Sequence, residues 1–354
     1  MRSGYTKVAK PLIPQPPSFG SRLKDDVMRG GPWAYWSLFT LCALTVILPL
    51  WSGPVLPLQD YAGNMSYAAI LASESGSHLD SVYEKGGLLL PNGLLLWSWA
   101  WLGGLIGFVA GGKLLLTLYA LALPLSVDSF LRASGRDHRF ALMSFPFVYN
   151  SSLIMGFASY ATSIPVAFFA LAAAYRLQAN VRWPDVVRLG FWSTLTFLAH
   201  AQGYLVLGIM ALAFVMTVPR TLQAFWRTCA GFSASFVVFL PWVWESFIDP
   251  PEKTALGGRA LKATFQEPIR LFERWGEYCF ERWVGTFDDW TFWGVVVVAL
   301  VGLIDRRLDE QPGRGRAKLS VEWITGSVFL AYLLVPEHTL VQAAIGSRLV
   351  VFAS

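Results

Sequence analysis

The chain has 354 residues, 55% of them hydrophobic and only 14% charged, with a mean hydropathy of +0.47. Soluble domains carry roughly 25% charged residues, so this composition excludes a water-soluble globule. The net charge of +5 does not mark a nucleic-acid partner either, because the basic residues sit in short blocks between apolar runs.

Residues 1–33 are polar, rich in Pro and carry Lys7, Lys10, Arg22, Lys24 and Arg29. A secretory signal would place its short apolar region nearer the start, so this segment reads as a disordered cytoplasmic tail. Residues 34–354 then form a single transmembrane domain. A hydrocarbon core about 30 Å thick takes roughly 20 apolar residues of helix. Apolar runs of that order lie at 34–51, 113–131, 140–157, 160–175, 186–200, 203–218, 228–247, 290–304 and 319–335. The fold class is therefore all-α, a polytopic transmembrane bundle of about nine spans, with interfacial or re-entrant helices in the extracytoplasmic loops. Cys42 and Cys229 fall inside apolar runs, and no Cys or His spacing suggests a metal site. With Cys279, they read as small buried hydrophobes.

The loops set the orientation. The tail and the loops 132–139, 176–188, 219–227 and 305–318 are net basic, whereas 53–90 and 248–289 are net acidic. By the positive-inside rule the basic set faces the cytoplasm. The alternation holds only if the apolar stretch 87–112 makes no full crossing, so it is read as a re-entrant or interfacial pair on the outer side. Within it Gly103, Gly107 and Gly111 recur every fourth residue, a pattern that permits close contact with another helix. The last residues, from Arg348 onward, look like the start of a further span.

The first outer loop is the most informative segment. After Pro54 and Pro57 it reads Leu58-Gln59-Asp60-Tyr61, and then Met65, Tyr67, Ile70 and Leu71 suggest a short helix along the membrane surface. Asp60 is placed as the N-cap of that helix. It is also placed as a carboxylate just above the bilayer, able to act as a general base or to hold a divalent cation. In the second outer loop Glu273, Arg274, Glu277, Glu281 and Arg282 recur at helical spacing among aromatics, which reads as an interfacial helix. Asp288 and Asp289 precede the next span there.

The order of a first span, an outer loop opening on Pro57-Leu58-Gln59-Asp60-Tyr61, and surface helices resembles the GT-C superfamily, multi-pass glycosyltransferases that use polyprenyl-phosphate sugars. Pro91-Asn92, Phe145 to Asn150 and Gly156 to Tyr160 extend the resemblance. Ala62 and Asn64 depart from the Pro and His of that pattern, and Ser159 from its Asn. The resemblance implies sugar transfer on the extracytoplasmic face of a bacterial inner membrane. Asp60 would be the catalytic base or the ligand of a Mg or Mn ion. Asn64, Asn92, Asn150, His200, His338 and Arg348 are the candidate substrate-binding residues. His200 and Arg348 would hold the donor phosphate, for which Arg offers bidentate pairing. The implied partners are the lipid bilayer and a polyprenyl-phosphate sugar.

No Walker A or dinucleotide fingerprint occurs, so no nucleotide site is expected. Two other readings stay open. Pro124, Pro165 and Pro241 could break helices for a transporter or flippase of a lipid-like or anionic substrate. The Gly103 stripe could dock a membrane partner in a protein without catalysis of its own.

Overall fold

The computed structural model describes residues 31–179, 181–219, 221–248 and 315–334, together with Cys279, Trp290, Trp293, Gly294 and Val297. All regular structure among the described residues is helical. Of the sequence expectations, the tail, most of the second outer loop, the span 290–304 in large part, His338 and Arg348 lie outside the described residues.

Helix α1 (Pro32–Ser52) starts with Pro in its first turn, where no backbone donor is lost. Tyr35, Phe39, Ala43, Val46 and Leu50 follow at helical spacing and pack inward. The opposite face, with Leu38, Leu41, Leu44 and Leu48, is just as apolar but exposed. A helix apolar on all sides yet buried on one presents the other to hydrocarbon. Trp33 and Trp51 close the exposed face at its two ends, about 27 Å apart at 1.5 Å per residue, close to the thickness of a bilayer core.

After α1 come α2 (Tyr61–Ala72), α3 (His78–Val82), α4 (Gly93–Ile106) and α5 (Phe108–Ala133). The stretch read as re-entrant holds α4, whose 14 residues are too few to cross. It folds back directly onto α5 through Gly107, whose φ of +87° suits only glycine without strain. The glycine stripe serves this hairpin. Phe108 fills the space where a Cβ of Gly103 would sit, and Gly111 lies against Leu102 and the Gly103 backbone. The expected contact with a separate helix is thus made inside one hairpin.

The run 140–157 is not one helix. It consists of 3-10 turns at His138–Ser144 and Pro146–Tyr149 and a single turn of α6 (Ser151–Ile154). Four local features account for this. Asp137 caps the first turn through Arg139 N, Pro146 cannot continue a preceding helix, Asn150 caps the next turn through Leu153 N, and Gly156 adopts φ +86°. Yet the segment still travels the length of α1. The His138 ring packs on Tyr35, Phe145 on Phe39, the Tyr149 hydroxyl donates to Val46 O at 2.8 Å, and Gln59 N donates to Ile154 O at 3.1 Å. Irregular backbone at membrane depth is tolerated where protein surrounds it, and here Ala141, Phe145, Val148, Asn150 and Leu153 are buried.

Helix α7 (Ala158–Ala179) is the centre of the bundle. Ala161, Ala167, Ala170, Ala172 and Ala174 are fully buried, and such small side chains let α5 and α8 (Trp183–Ala199) approach closely. Helices α9 (Ala201–Thr217), α10 (Leu222–Ser233) and α11 (Phe236–Val243) complete the described bundle with α12 (Gly315–Leu334), which packs on α9. Gly203 sits on Ser163 and Gly231 on Leu189, each with no room for a Cβ.

Three helices, α1, α5 and α7, are long and apolar enough to cross a membrane. The run 228–247 is broken between α10 and α11 by a bend of 50°, and counting that pair as one span gives four. The others expected within the described residues are shorter, broken or less apolar, so the structure bears out several apolar crossings but not nine.

The connections fall at two ends. At one end Tyr35, Asp128, Arg132, Arg136, Arg176, Arg182 and Arg227 gather, joined by pairs such as Arg176 to Ser129 and Arg136 to Glu322. At the other, Trp51 meets Thr117, Lys113 meets the Gly53 carbonyl, and Tyr160 meets His200. The described basic loops therefore share the end opposite Asp60. Exposed Trp33, Trp183, Trp226 and Trp323 ring the basic end, and Trp51 and Trp101 mark the other. Two aromatic belts of this kind mark membrane–water interfaces.

Candidate functional site

The end of α1 is tied to α5 by Lys113. Its ammonium lies 5.7 Å from the centre of the Trp51 ring and donates to the Gly53 carbonyl. A cation beside the last carbonyls of a helix is favourably placed. The chain then turns through Pro54 and Pro57, buries Leu56, and binds the broken crossing by Gln59 N to Ile154 O. Tyr61, fully buried, packs on Trp99 at 5.0 Å and fixes the start of α2 to the α4–α5 hairpin. Burial pushes its phenol above the usual tyrosine range.

Asp60 is held between these anchors. Its backbone lies against Gly156 so closely that a Cβ there would come within 2.3 Å of Asp60 N. One turn later the Asn64 amide donates to Gly156 O at 2.8 Å. Asp60 does occupy the N-cap position of α2, but its carboxylate makes no capping bond. The cap reading is therefore corrected. With φ −98° and ψ 12° the residue lacks the extended backbone that aims a capping side chain at the first-turn N–H groups. The side chain is exposed, and among the described residues no donor reaches it. The short helix expected after Asp60 is present as α2, with Tyr67 exposed and Ala68 buried.

Asn150 is spent inside the protein. It is fully buried, donates to the Tyr119 hydroxyl at 2.8 Å and to Phe147 O at 2.9 Å, and accepts from Leu153 N at 3.1 Å. These bonds hold the broken crossing against α5. Asn150→Ala removes a cap and strips partners from buried groups, and should lower unfolding free energy by about 2–3 kcal/mol. Thermal unfolding in detergent micelles measures it; an unchanged midpoint would contradict the role.

His200 joins α8 to α9. Its Nδ1 accepts from Gln202 N at 3.1 Å, which places it as the cap of α9, with its ring edge-on to Tyr160 at 5.3 Å. It thus shares the end of the bundle with Asp60, linked to it by the stretch from Gly156 to Tyr160. Asn92 precedes α4 in a left-handed conformation with φ 70° and makes no capping bond, and its buried Oδ1 has no hydrogen-bond partner among the described residues. Among the described residues no three His, Cys, Asp or Glu side chains gather as a metal group.

A second polar cluster lies at the opposite end. Asp128, inside α5 and 7% exposed, accepts from the Tyr35 hydroxyl at 2.7 Å and from Arg132 Nε at 2.8 Å, with His138 Nδ1 at 3.1 Å. The Arg132 guanidinium only donates and the Asp128 carboxylate only accepts, so His138 Nδ1, 2.8 Å from Arg132 Nη2 and 3.1 Å from Asp128 Oδ1, bonds to one or the other according to its tautomer. Sequence reasoning missed this cluster. Its signal was a lone carboxylate within the run 113–131, four residues before Arg132, and an ionisable residue at that depth is a functional candidate by default.

The helices and their exposed apolar faces define an all-α bundle compatible with an integral membrane protein. No protein-family model, curated protein or solved structure matches the chain.

Proposed function

We propose that this is a multi-pass membrane protein with its basic end in the cytoplasm, whose Asp60 end carries a site acting on a lipid-linked substrate, in the manner of a GT-C-like glycosyltransferase. The observation that carries the reading is Asp60 itself: an exposed carboxylate, free of capping duty, on a rigidly held loop beside the Trp51 belt. A polyprenyl-phosphate sugar presents its phosphate and reacting carbon at that depth. There Asp60 can take the proton of an acceptor hydroxyl.

A divalent ion fits only as an open site. One carboxylate with Asn64 a turn away makes no cage, but Mg keeps several waters and binds through one or two carboxylates plus substrate phosphates. His200 belongs to the same end as a positioning residue, through its cap on α9. In a sugar-transfer assay with membranes and polyprenyl-phosphate donors, Asp60→Asn should cut transfer at least about 100-fold while leaving expression and unfolding unchanged. Transfer by the variant at the wild-type rate would sink the assignment.

A transporter reading draws on a different observation, the broken crossing with the Asp128 cluster at its start. It would be favoured if flux of an anionic lipid across proteoliposomes depended on Asp128 and not on Asp60.

A further inference from the structure

Between α2 and α4 the chain ties its polar groups to one another and leaves its apolar side chains outside. The Asp80 carboxylate accepts from Gly76 N at 2.9 Å and lies 3.5 Å from the Lys85 ammonium, which also donates to Ser73 O. Ser77 caps α3 by accepting from Asp80 N at 3.3 Å. Further on, Gly86 O accepts from the Trp97 indole at 3.2 Å, and Leu90 N and Gly93 N close turns on Gly87 O and Leu90 O. The segment is thus bound to itself and to α4, with the Asp80–Lys85 pair satisfied from within.

Leu79, Val82, Tyr83, Leu88, Leu89 and Leu90 all stand exposed in this segment, Val82 by 60% and Leu89 by 59%. Single apolar side chains on a surface need no explanation, but a concentration of them marks contact with protein or membrane. Position decides between the two. Helix α2 packs on α4, and α4 packs on α5, α7 and α8, so both ends of the segment are held against the bundle. Helix α4 carries Trp101 of the belt at the Asp60 end, and its exposed Leu105 and Ile106 lead through Gly107 into α5, which is long and apolar enough to cross a membrane. The segment therefore continues, along the chain, an exposed apolar path that starts on a crossing helix and passes the depth where aromatic rings rest. Its polar residues fit the same place, because Glu74, His78 and Glu84 are exposed and can stay in the headgroup water.

We propose that residues 79–90 form a membrane anchor that dips into the leaflet at the Asp60 end, beside the bundle, and that this leaflet covers the exposed side chains. An anchor of this kind enters the boundary between headgroups and acyl chains by roughly 5–10 Å. The internal bonds lower the cost of entry, since polar groups that already have partners lose less on leaving water. Glu74, Asp80 and Glu84 against Lys85 make the stretch net acidic, so apolar burial drives the contact and attraction to lipid charge does not. The inference rests on the bilayer part of the proposed function and not on sugar transfer.

The test uses the full chain with Cys42, Cys229 and Cys279 replaced by Ala, in phosphatidylcholine nanodiscs with and without brominated acyl chains. One new cysteine at a time carries a fluorophore. Leu41→Cys, on the exposed face of α1, reports hydrocarbon, and Ser75→Cys, exposed before α3, reports water. Bromines near the headgroup should quench Val82→Cys and Leu89→Cys at least about half as strongly as deeper bromines quench Leu41→Cys. Aqueous iodide should quench both less than it quenches Ser75→Cys. Iodide quenching equal to that of Ser75→Cys would overturn the anchor. So would shielding from iodide without quenching by brominated lipid, which would mean that protein covers the segment. In either case quenching of Leu41→Cys by brominated lipid leaves the bilayer reading standing. If Leu41→Cys also escapes brominated lipid, the bilayer reading falls together with the anchor.

Discussion

Gly156→Ala should destabilise the protein by about 3–5 kcal/mol, adding the strain of a left-handed backbone to overpacking. The residue ends the broken crossing at φ +86°, where an L side chain is disfavoured. The added methyl would also meet Asp60 N at 2.3 Å, Asp60 Cβ at 2.6 Å and Asp60 Cα at 2.7 Å. Two of these are backbone atoms of a loop already fixed by Gln59 N to Ile154 O and by the Asn64 amide to Gly156 O. No rotamer change can relieve the clash, so the loop must lift. Chemical unfolding in mixed micelles measures the loss. Because the same displacement moves Asp60, Gly156→Ala should, on the proposed sugar-transfer reading, also reduce transfer in whatever fraction stays folded. A variant with wild-type stability would show that the loop floats above the bundle, and Asp60 would then have no fixed position to act from.

What the sequence disclosed follows from which interactions are local. Burial class was legible because a chain this poor in charge has no aqueous solution, and the division into two ends was legible because basic and acidic loops alternate. The segment 140–157 was legible as an apolar passage between the two ends of the bundle but not as broken turns. Hydropathy reports how apolar a segment is, not whether its backbone is helical. The breakers were nevertheless in view, as Pro146, Asn150 and Gly156. Gly103 and Gly111 signalled close approach correctly, but their partner was the next helix in the chain, and a stripe of small residues does not name its partner. Asp60 was found by position. Its failure to cap α2 was not, because capping depends on a backbone angle set by the distant contact with Gly156. Asn150 and His200 were singled out as polar residues at one end of the bundle, and both prove to cap helices.

The Asp128 cluster makes the second claim on stability. Asp128→Ala should cost about 2–4 kcal/mol, below the full range for a buried pair because the Arg132 side chain keeps 44% of its surface exposed and can rehydrate. Two groups lose an acceptor, the Tyr35 hydroxyl and Arg132 Nε, and the His138 ring loses a neighbour at 3.1 Å; they belong to the start of α1, the end of α5 and the first turn of the broken segment. Asp128 therefore joins three elements where they meet at the basic end, and the irregular segment has no helical ladder of its own to hold it there. Tyr35→Phe removes only one neutral donor and should cost about 1 kcal/mol. The pair should be non-additive, since the hydroxyl has nothing to bind once the carboxylate is gone; the double variant should lose little more than Asp128→Ala alone. Full additivity in unfolding titrations would mean that water, not Tyr35, serves the carboxylate. In that case the broken segment would be held at its lower end by packing against α5 and α1 alone.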